Sequence, residues 1–132
     1  MNEDIIEIIK GLEDLHYMGP ASEEEIQLTE KNMHLKFAED FKKYVSTFGA
    51  IIAKGIELTG ITKSNQSNVL VITNQENDFN YSIPSNMYVV DDSLAEVSLI
   101  LQDETGAIYE LFPSGEITKK FSSLAEYILS LK

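Results

Sequence analysis

The most regular hydrophobic pattern of the chain lies between residues 35 and 61. Large apolar residues recur there at spacings of three and four, which places them on one face of a helix; they are Phe37, Phe41, Tyr44, Val45 and Phe48. Gly49 follows them, where glycine most readily caps a helix in a left-handed conformation. Ile56 and Leu58 then alternate with polar residues and predict a strand over residues 55–60. We expect a sheet to cover this apolar side of the helix.

Two amphipathic segments precede the aromatic helix. Residues 2–16 carry an apolar stripe, and His16 is expected at the C-terminal end of that helix, where a cation suits the helix dipole. Ser22 and Glu25 have the spacing of a capping box, in which each side chain satisfies a backbone amide, and they predict a second helix to about Met33. The first third of the chain is therefore predicted to be helical.

The C-terminal half of the chain has the pattern of an antiparallel meander. Short alternating runs separated by turn residues predict strands over residues 87–90, 96–103, 107–112 and 116–118. Ser123 and Glu126 repeat the capping-box spacing and open a closing helix. This order indicates an α+β fold, with N-terminal helices packed on a mainly antiparallel sheet of about five strands.

Residues 67–79 allow two interpretations. The β-branched run over residues 69–73 favours a strand by propensity. A helix capped by Ser67 or Asn68 would instead place three apolar residues on one side, namely Val69, Ile72 and Phe79. On the residues alone the strand is favoured.

Composition narrows the class of protein further. At 132 residues the chain is long enough for one domain, 1–132, with its own core. It has no cysteine, which excludes disulfides and thiolate metal sites and fits a reducing compartment. We see neither a signal peptide nor an apolar run of the ~20 residues that span a bilayer, so we expect a cytoplasmic protein without a membrane partner. Its 22 acidic and 10 basic residues leave a net charge of −12, which repels nucleic acids and attracts basic proteins.

No catalytic constellation is recognisable in the sequence. The two histidines, His16 and His34, stand apart and lack a second ligand at metal-binding spacing. The glycines between residues 49 and 60 are not followed by the lysine and hydroxyl residue of a phosphate-binding loop. The acidic pairs at 91–92 and 103–104 lack the alternating spacing of a calcium loop. We therefore predict no metal, no cofactor and no enzymatic activity.

The order of several segments resembles the SUKH superfamily (Smi/Knr-like), which includes immunity proteins of bacterial polymorphic toxin systems and a fungal regulator of cell-wall synthesis. The resemblance covers nearly the whole chain and rests on Ile26 and Glu30, residues 35–44, Phe48-Gly49, residues 56–61, Val69 and Thr73, Ile83-Pro84, residues 87–90, 105–109 and 121–129. The chain departs from the family pattern at Phe37-Ala38, where a Leu-Pro pair is common, and at Gly49, where a glycine pair often stands. The resemblance implies an α+β fold, and it implies a helix rather than a strand over residues 67–79.

The resemblance, the missing chemistry and the negative charge favour an immunity protein that neutralises a cognate intracellular toxin. A nuclease toxin would fit, because a groove that binds phosphodiesters is basic. We expect the contacts to come from acidic loop residues, with tyrosines as anchors: Asp91, Asp92, Asp103, Glu104, Tyr88 and Tyr109. A non-enzymatic regulatory or scaffold module that binds another protein is the alternative, and a carboxylate hydrolase is the least favoured hypothesis.

Overall fold

The computed structural model describes residues 4–132 and has an α+β architecture. The helices of this range are Ile5–Lys10 (α1), Glu23–Met33 (α2), Glu39–Phe48 (α3), Val69–Phe79 (α4) and Leu124–Leu131 (α5). The strands are His16–Tyr17 (β1), Ile51–Ala53 (β2), Ile56–Leu58 (β3), Met87–Asp91 (β4), Leu99–Asp103 (β5), Ile108–Leu111 (β6) and Ile117–Phe121 (β7). The predicted fold class is confirmed, but the described strands form two antiparallel sheets, β1-β2-β3 and β4-β5-β6-β7, rather than one of about five strands.

Helices α2 and α5 begin at the two serines that the sequence predicts as caps. At the start of α2 the Ser22 hydroxyl accepts a hydrogen bond from the Glu25 amide at 3.1 Å, and the Glu25 carboxylate accepts one from the Ser22 amide at 2.9 Å. These reciprocal bonds complete the predicted capping box. Ser123 accepts from the amide of Glu126 in the same way at the start of α5.

Residues 69–79 form a helix, so the strand that propensity favours is wrong and the helix implied by the resemblance is right. The Asn68 side chain accepts hydrogen bonds from the amides of Leu70 and Val71, at 3.0 and 3.3 Å, which satisfies the first donors of α4. Val69, Ile72 and Thr73 are buried along one side of this helix. Their burial outweighs the weak local preference of β-branched residues for strands.

The N-terminal helix is shorter than predicted. Of the interval 2–16, residues 2 and 3 lie outside the described part of the chain, and α1 ends at Lys10. Asp14 then takes a left-handed conformation with φ of 57°, and His16 pairs with Ile52 in β1. His16 therefore does not stand at a helix terminus. The pairing partner is far away in sequence, which explains why the local pattern does not reveal β1.

The sheet β4–β7 has two covered faces. The first, here called the aromatic face, packs against α3 and α5 and includes Tyr88, Val90 and Ile108. The second, here called the α4 face, carries a smaller cluster that includes Ile72 of α4 and the strand residues Val89, Leu99, Leu101 and Leu111. The β1-β2-β3 sheet joins this body through the Thr59 amide and hydroxyl, which donate to the carbonyls of Val90 and Val89. None of the helices within residues 4–132 is long and apolar enough to cross a bilayer.

Candidate partner-binding surface

Tyr88, one of the two predicted aromatic anchors, lies inside the core. Its side chain is 0% exposed, and its hydroxyl donates to Oε1 of Gln102 at 2.7 Å and accepts from the Ala38 amide at 3.0 Å. Burial raises the pKa of this phenol well above its ordinary value. The ring joins α3 to the sheet and has no surface to offer a partner, so we leave Tyr88 out of the binding surface.

Asp91 is also a structural residue rather than a solvated strand end. It is 6% exposed, and its carboxylate accepts hydrogen bonds from the Tyr127 hydroxyl of α5 at 2.5 Å and from the amide and hydroxyl of Ser93. An irregularity in the β4–β5 register between Val89 and Asp91 pairs Asp91 with Ile100 and directs its carboxylate toward α5. The neighbouring Asp92 remains partly exposed, and burial, with the charges of Asp91 and Glu57, raises its pKa.

Asp103 organises the turn that follows β5. Its carboxylate is 7% exposed and accepts hydrogen bonds from the Thr105 amide at 2.9 Å, from the Thr105 hydroxyl at 2.5 Å and from the Tyr109 hydroxyl at 2.9 Å. Burial opposes ionisation here, but these hydrogen bonds prevail and hold the pKa of Asp103 below its usual value. Glu104 is exposed and Tyr109 is partly exposed. Of this group only Glu104 and Tyr109 offer surface to a partner.

The two predicted acidic pairs do not form one patch. Strands β4 and β5 are antiparallel, with Met87 opposite Asp103 and Asp91 opposite Ile100. At about 3.3 Å per residue, the carboxyl end of β4 and that of β5 lie roughly 13 Å apart along the ladder. The antiparallel topology therefore places Asp91-Asp92 and Asp103-Glu104 at opposite ends of the β4–β5 pair.

A wide groove of about 1830 Å³ runs beside α2, α3, α5 and the turn after β5. Two carboxylates in it are engaged with the backbone: Glu30 accepts from the Phe37 amide at 2.8 Å, and Asp40 accepts from the Leu124 amide at 2.7 Å. Burial raises the pKa of Asp40, while the bonds from Leu124 and Gln102 oppose the rise. Lysines share the lining with the acids: Lys31, Lys36, Lys42 and Lys43. Glu30 and Asp40 therefore hold elements together, and the charge of the groove is mixed.

Among residues 4–132, no three histidine, aspartate or glutamate side chains gather as a metal ion would require. In the same range every buried side-chain nitrogen and oxygen has a hydrogen-bond partner. The buried polar groups of the described chain thus serve internal contacts, with none held unpaired for a ligand.

Comparison with known families agrees with this architecture. The family model described as SMI1-KNR4 cell-wall (SUKH_5) matches residues 2–131, essentially the whole chain. The chain belongs to the SUKH family. Members of this family are in general non-enzymatic immunity or regulatory domains. No curated protein is significantly similar to the chain.

The charge of this SUKH chain is concentrated in one part of the sequence. Residues 64–118 hold nine acidic residues and no lysine, arginine or histidine, whereas the rest of the chain has 13 acidic and 10 basic residues. This segment, here called the acidic half, contains α4 and strands β4–β6. The net charge alone does not reveal this segment, whereas the order of charged residues along the chain does. Glu104 lines the groove with the lysines, and Glu110 pairs with Lys120 at 3.7 Å. The exposed acids of α4 and of the β4–β5 loop, Asp78 and Glu96, are therefore the candidates for binding a basic partner.

Proposed function

We propose that this SUKH domain is an immunity protein that binds a basic intracellular toxin domain, of the nuclease class, and blocks it by occlusion. The observation that carries the proposal is the segregation of charge along the chain. The acidic half holds nine acidic residues and no basic one, and in the described structure only Glu110 among them pairs with a lysine, Lys120, at 3.7 Å. Family membership supports the same function. Asp92, Glu104 and Tyr109 remain as proposed contacts from the sequence prediction, since each keeps exposed surface.

Charge complementarity would act mainly on the rate of association. A toxin that binds phosphodiesters needs a positive groove, and opposite fields steer such partners together at rates up to about 10⁸–10⁹ M⁻¹s⁻¹ at low salt. Release would be governed by a few desolvated apolar or charged contacts. The bound domain would cover the toxin groove, and no bond need be made or broken on either side.

Co-expression tests the function directly. The full chain is produced together with the C-terminal domain of a candidate toxin encoded by the adjacent gene, with empty vector as the control. We expect growth to be restored and the two proteins to purify as one complex. Killing that continues while the SUKH protein is present at equal or higher level would refute the proposal.

A matched pair of charge variants tests the role of the acidic half. Asp78→Asn, Glu96→Gln and Glu116→Gln remove three exposed carboxylates from it, while Glu7→Gln, Glu13→Gln and Glu24→Gln remove three exposed carboxylates elsewhere. We expect the first set to slow association by about tenfold at low salt and the second to change it far less. Equal slowing by both sets, measured by stopped flow, would mean that total charge rather than its location matters.

A regulatory module is the second candidate, because the matching family model carries a cell-wall description. Such a module would bind a protein of the same cell that is not toxic. Pull-down of a non-toxic partner, together with no protection from the neighbouring toxin, would favour this function over immunity.

A further inference from the structure

Three large apolar side chains of the acidic half are more than half exposed to solvent. Phe79 is 74% exposed, Leu94 is 70% exposed and Val97 is 60% exposed. Phe79 is the last residue of α4, and the other two lie in the loop between β4 and β5. Single exposed apolar residues are ordinary, but several in one region mark a surface that gains from being covered.

Hydrogen bonds fix the backbone around these side chains. The hydroxyl of Tyr81, two residues beyond Phe79, donates to the carbonyl of Ala95 at 2.6 Å and ties the β4–β5 loop to the end of α4. Within the loop the amide of Val97 donates to the carbonyl of Leu94 at 2.8 Å. Tyr81 and Ala95 also belong to the apolar cluster of the α4 face. The exposed residues are therefore held in place before any partner arrives, which lowers the entropy cost of binding.

Two carboxylates accompany the apolar residues. Glu76 lies one helical turn before Phe79, and Asp92 lies two residues before Leu94. The Val89 amide donates to the Thr73 hydroxyl at 3.0 Å and packs α4, which carries Glu76, against β4, which Asp92 follows. Burial, with the negative charge of Asp92, raises the pKa of Glu76. Within residues 4–132 neither forms an ion pair with a lysine. A cation brought by a partner would stabilise both charged forms.

We propose that Phe79, Leu94, Val97, Glu76 and Asp92 form the docking surface for the toxin. The occupant is a protein segment that is both apolar and basic: its apolar side chains cover the three exposed residues, and a lysine or arginine pairs with the two carboxylates. The inference rests on the proposed function, and it names the site through which that function is performed. Hot spots cluster where side chains are fully desolvated near the centre of an interface, and arginine is enriched among them, so the covered apolar residues and the partner's cation would supply most of the affinity.

Met18 and Leu28 are exposed apolar residues outside the acidic half. Met18 follows β1, and Leu28 lies on α2. Both are about as exposed as Val97, at 57% and 58%. They serve as matched controls, because their removal deletes similar apolar area without touching the acidic half.

The experiment compares two double variants in binding to the neighbouring toxin domain. Phe79→Ser with Leu94→Ser is expected to weaken the dissociation constant roughly 30-fold, mainly through faster release, while Met18→Ser with Leu28→Ser leaves it within about twofold. Denaturation curves verify that both variants fold. Tight binding by wild type together with equal affinities of the two variants would overturn the docking surface and leave the immunity function standing.

A second experiment tests the docking surface even if the toxin neither binds nor kills. The ¹⁵N-labelled chain is titrated with an amphipathic helical peptide of leucine and lysine, and with a control in which glutamate replaces lysine. We expect the basic peptide alone to shift the amides of residues 76–81 and 92–98. Shifts concentrated in the groove or on the β1-β2-β3 sheet, or no shifts at all, would reject the proposal.

Discussion

The two faces of the β4–β7 sheet are built differently. On the aromatic face four rings pack together, with centroid separations of 4.8–5.7 Å: Phe37, Phe41, Tyr44 and Tyr88. Each is buried, and both tyrosine hydroxyls form internal hydrogen bonds. The α4 face has a smaller cluster, and its edge ends in exposed apolar residues and partly exposed acids.

The comparison indicates that the aromatic face stabilises the fold, whereas the edge of the α4 face leaves side chains exposed. Gln102 shows how completely the aromatic face uses its polar groups, because its amide accepts from Tyr88 and donates to Asp40 and to the Gly106 carbonyl. A partner would gain nothing there without breaking the fold. At the edge of the α4 face, Phe79 is mostly exposed and Asp92 is partly exposed. Substitutions of either residue should therefore affect binding more than folding.

The largest contrast is expected between two phenylalanines. Phe41→Ala should lower the free energy of unfolding by about 3–5 kcal/mol, because it leaves a cavity among three packed rings. Phe79→Ala should change it by no more than about 0.5 kcal/mol, because that ring is mostly in solvent. Urea denaturation measures both. A large loss from Phe79→Ala would place this residue in the core and weaken its assignment to a binding surface.

Two glycines with nearly equal φ angles give the next contrast. Gly49 has φ of 77° and Gly55 has φ of 75°, so alanine at either costs about 1–2 kcal/mol for its positive φ. A Cβ atom at Gly49 would also lie 2.0 Å from the Gly19 carbonyl oxygen, whereas Gly55 faces open space. We expect Gly49→Ala to cost about 1–3 kcal/mol more than Gly55→Ala. Equal melting temperatures of the two variants would show that the Gly19 backbone moves easily to make room for a Cβ atom at Gly49.

The smallest contrast concerns two aspartates and their dependence on pH. The pKa of Asp103 is lowered from 3.8, so its contribution to stability is present above that value and is lost as pH falls through the folded-state pKa. The pKa of Asp92 is raised from 3.8, so its contribution is greatest below that value and is lost as pH rises through the folded-state pKa. At pH 7, Asp103→Asn should cost about 1–2 kcal/mol, and Asp92→Asn should cost nothing or stabilise.

Denaturation at pH 7 and below pH 3.8 measures both effects. The loss from Asp103→Asn should shrink in acid, and any gain from Asp92→Asn should disappear. If Asp92→Asn proves the more harmful at pH 7, then Asp92 is a structural residue like Asp91, and the docking surface loses one of its two carboxylates.

Local chemistry in the sequence was enough to predict much of the fold. The capping pair at Ser22 and Glu25, the apolar period of α3 and the turn residues of the meander each act over a few residues, so they can be recognised without a structure. Residues 69–79 show the limit of this approach. Their propensity favours a strand, and only the burial of one side of α4 decides in favour of a helix.

For the candidate site too, some properties can be predicted from the sequence and others require the structure. The net charge, its concentration in residues 64–118 and the lack of cysteine follow from composition and residue order, so they can be read without a structure. Which acidic residues remain at the surface depends on the folded chain. Burial and hydrogen bonds depend on residues that are distant along the chain, and they commit Asp91 to Tyr127 and leave Asp92 and Phe79 at the surface.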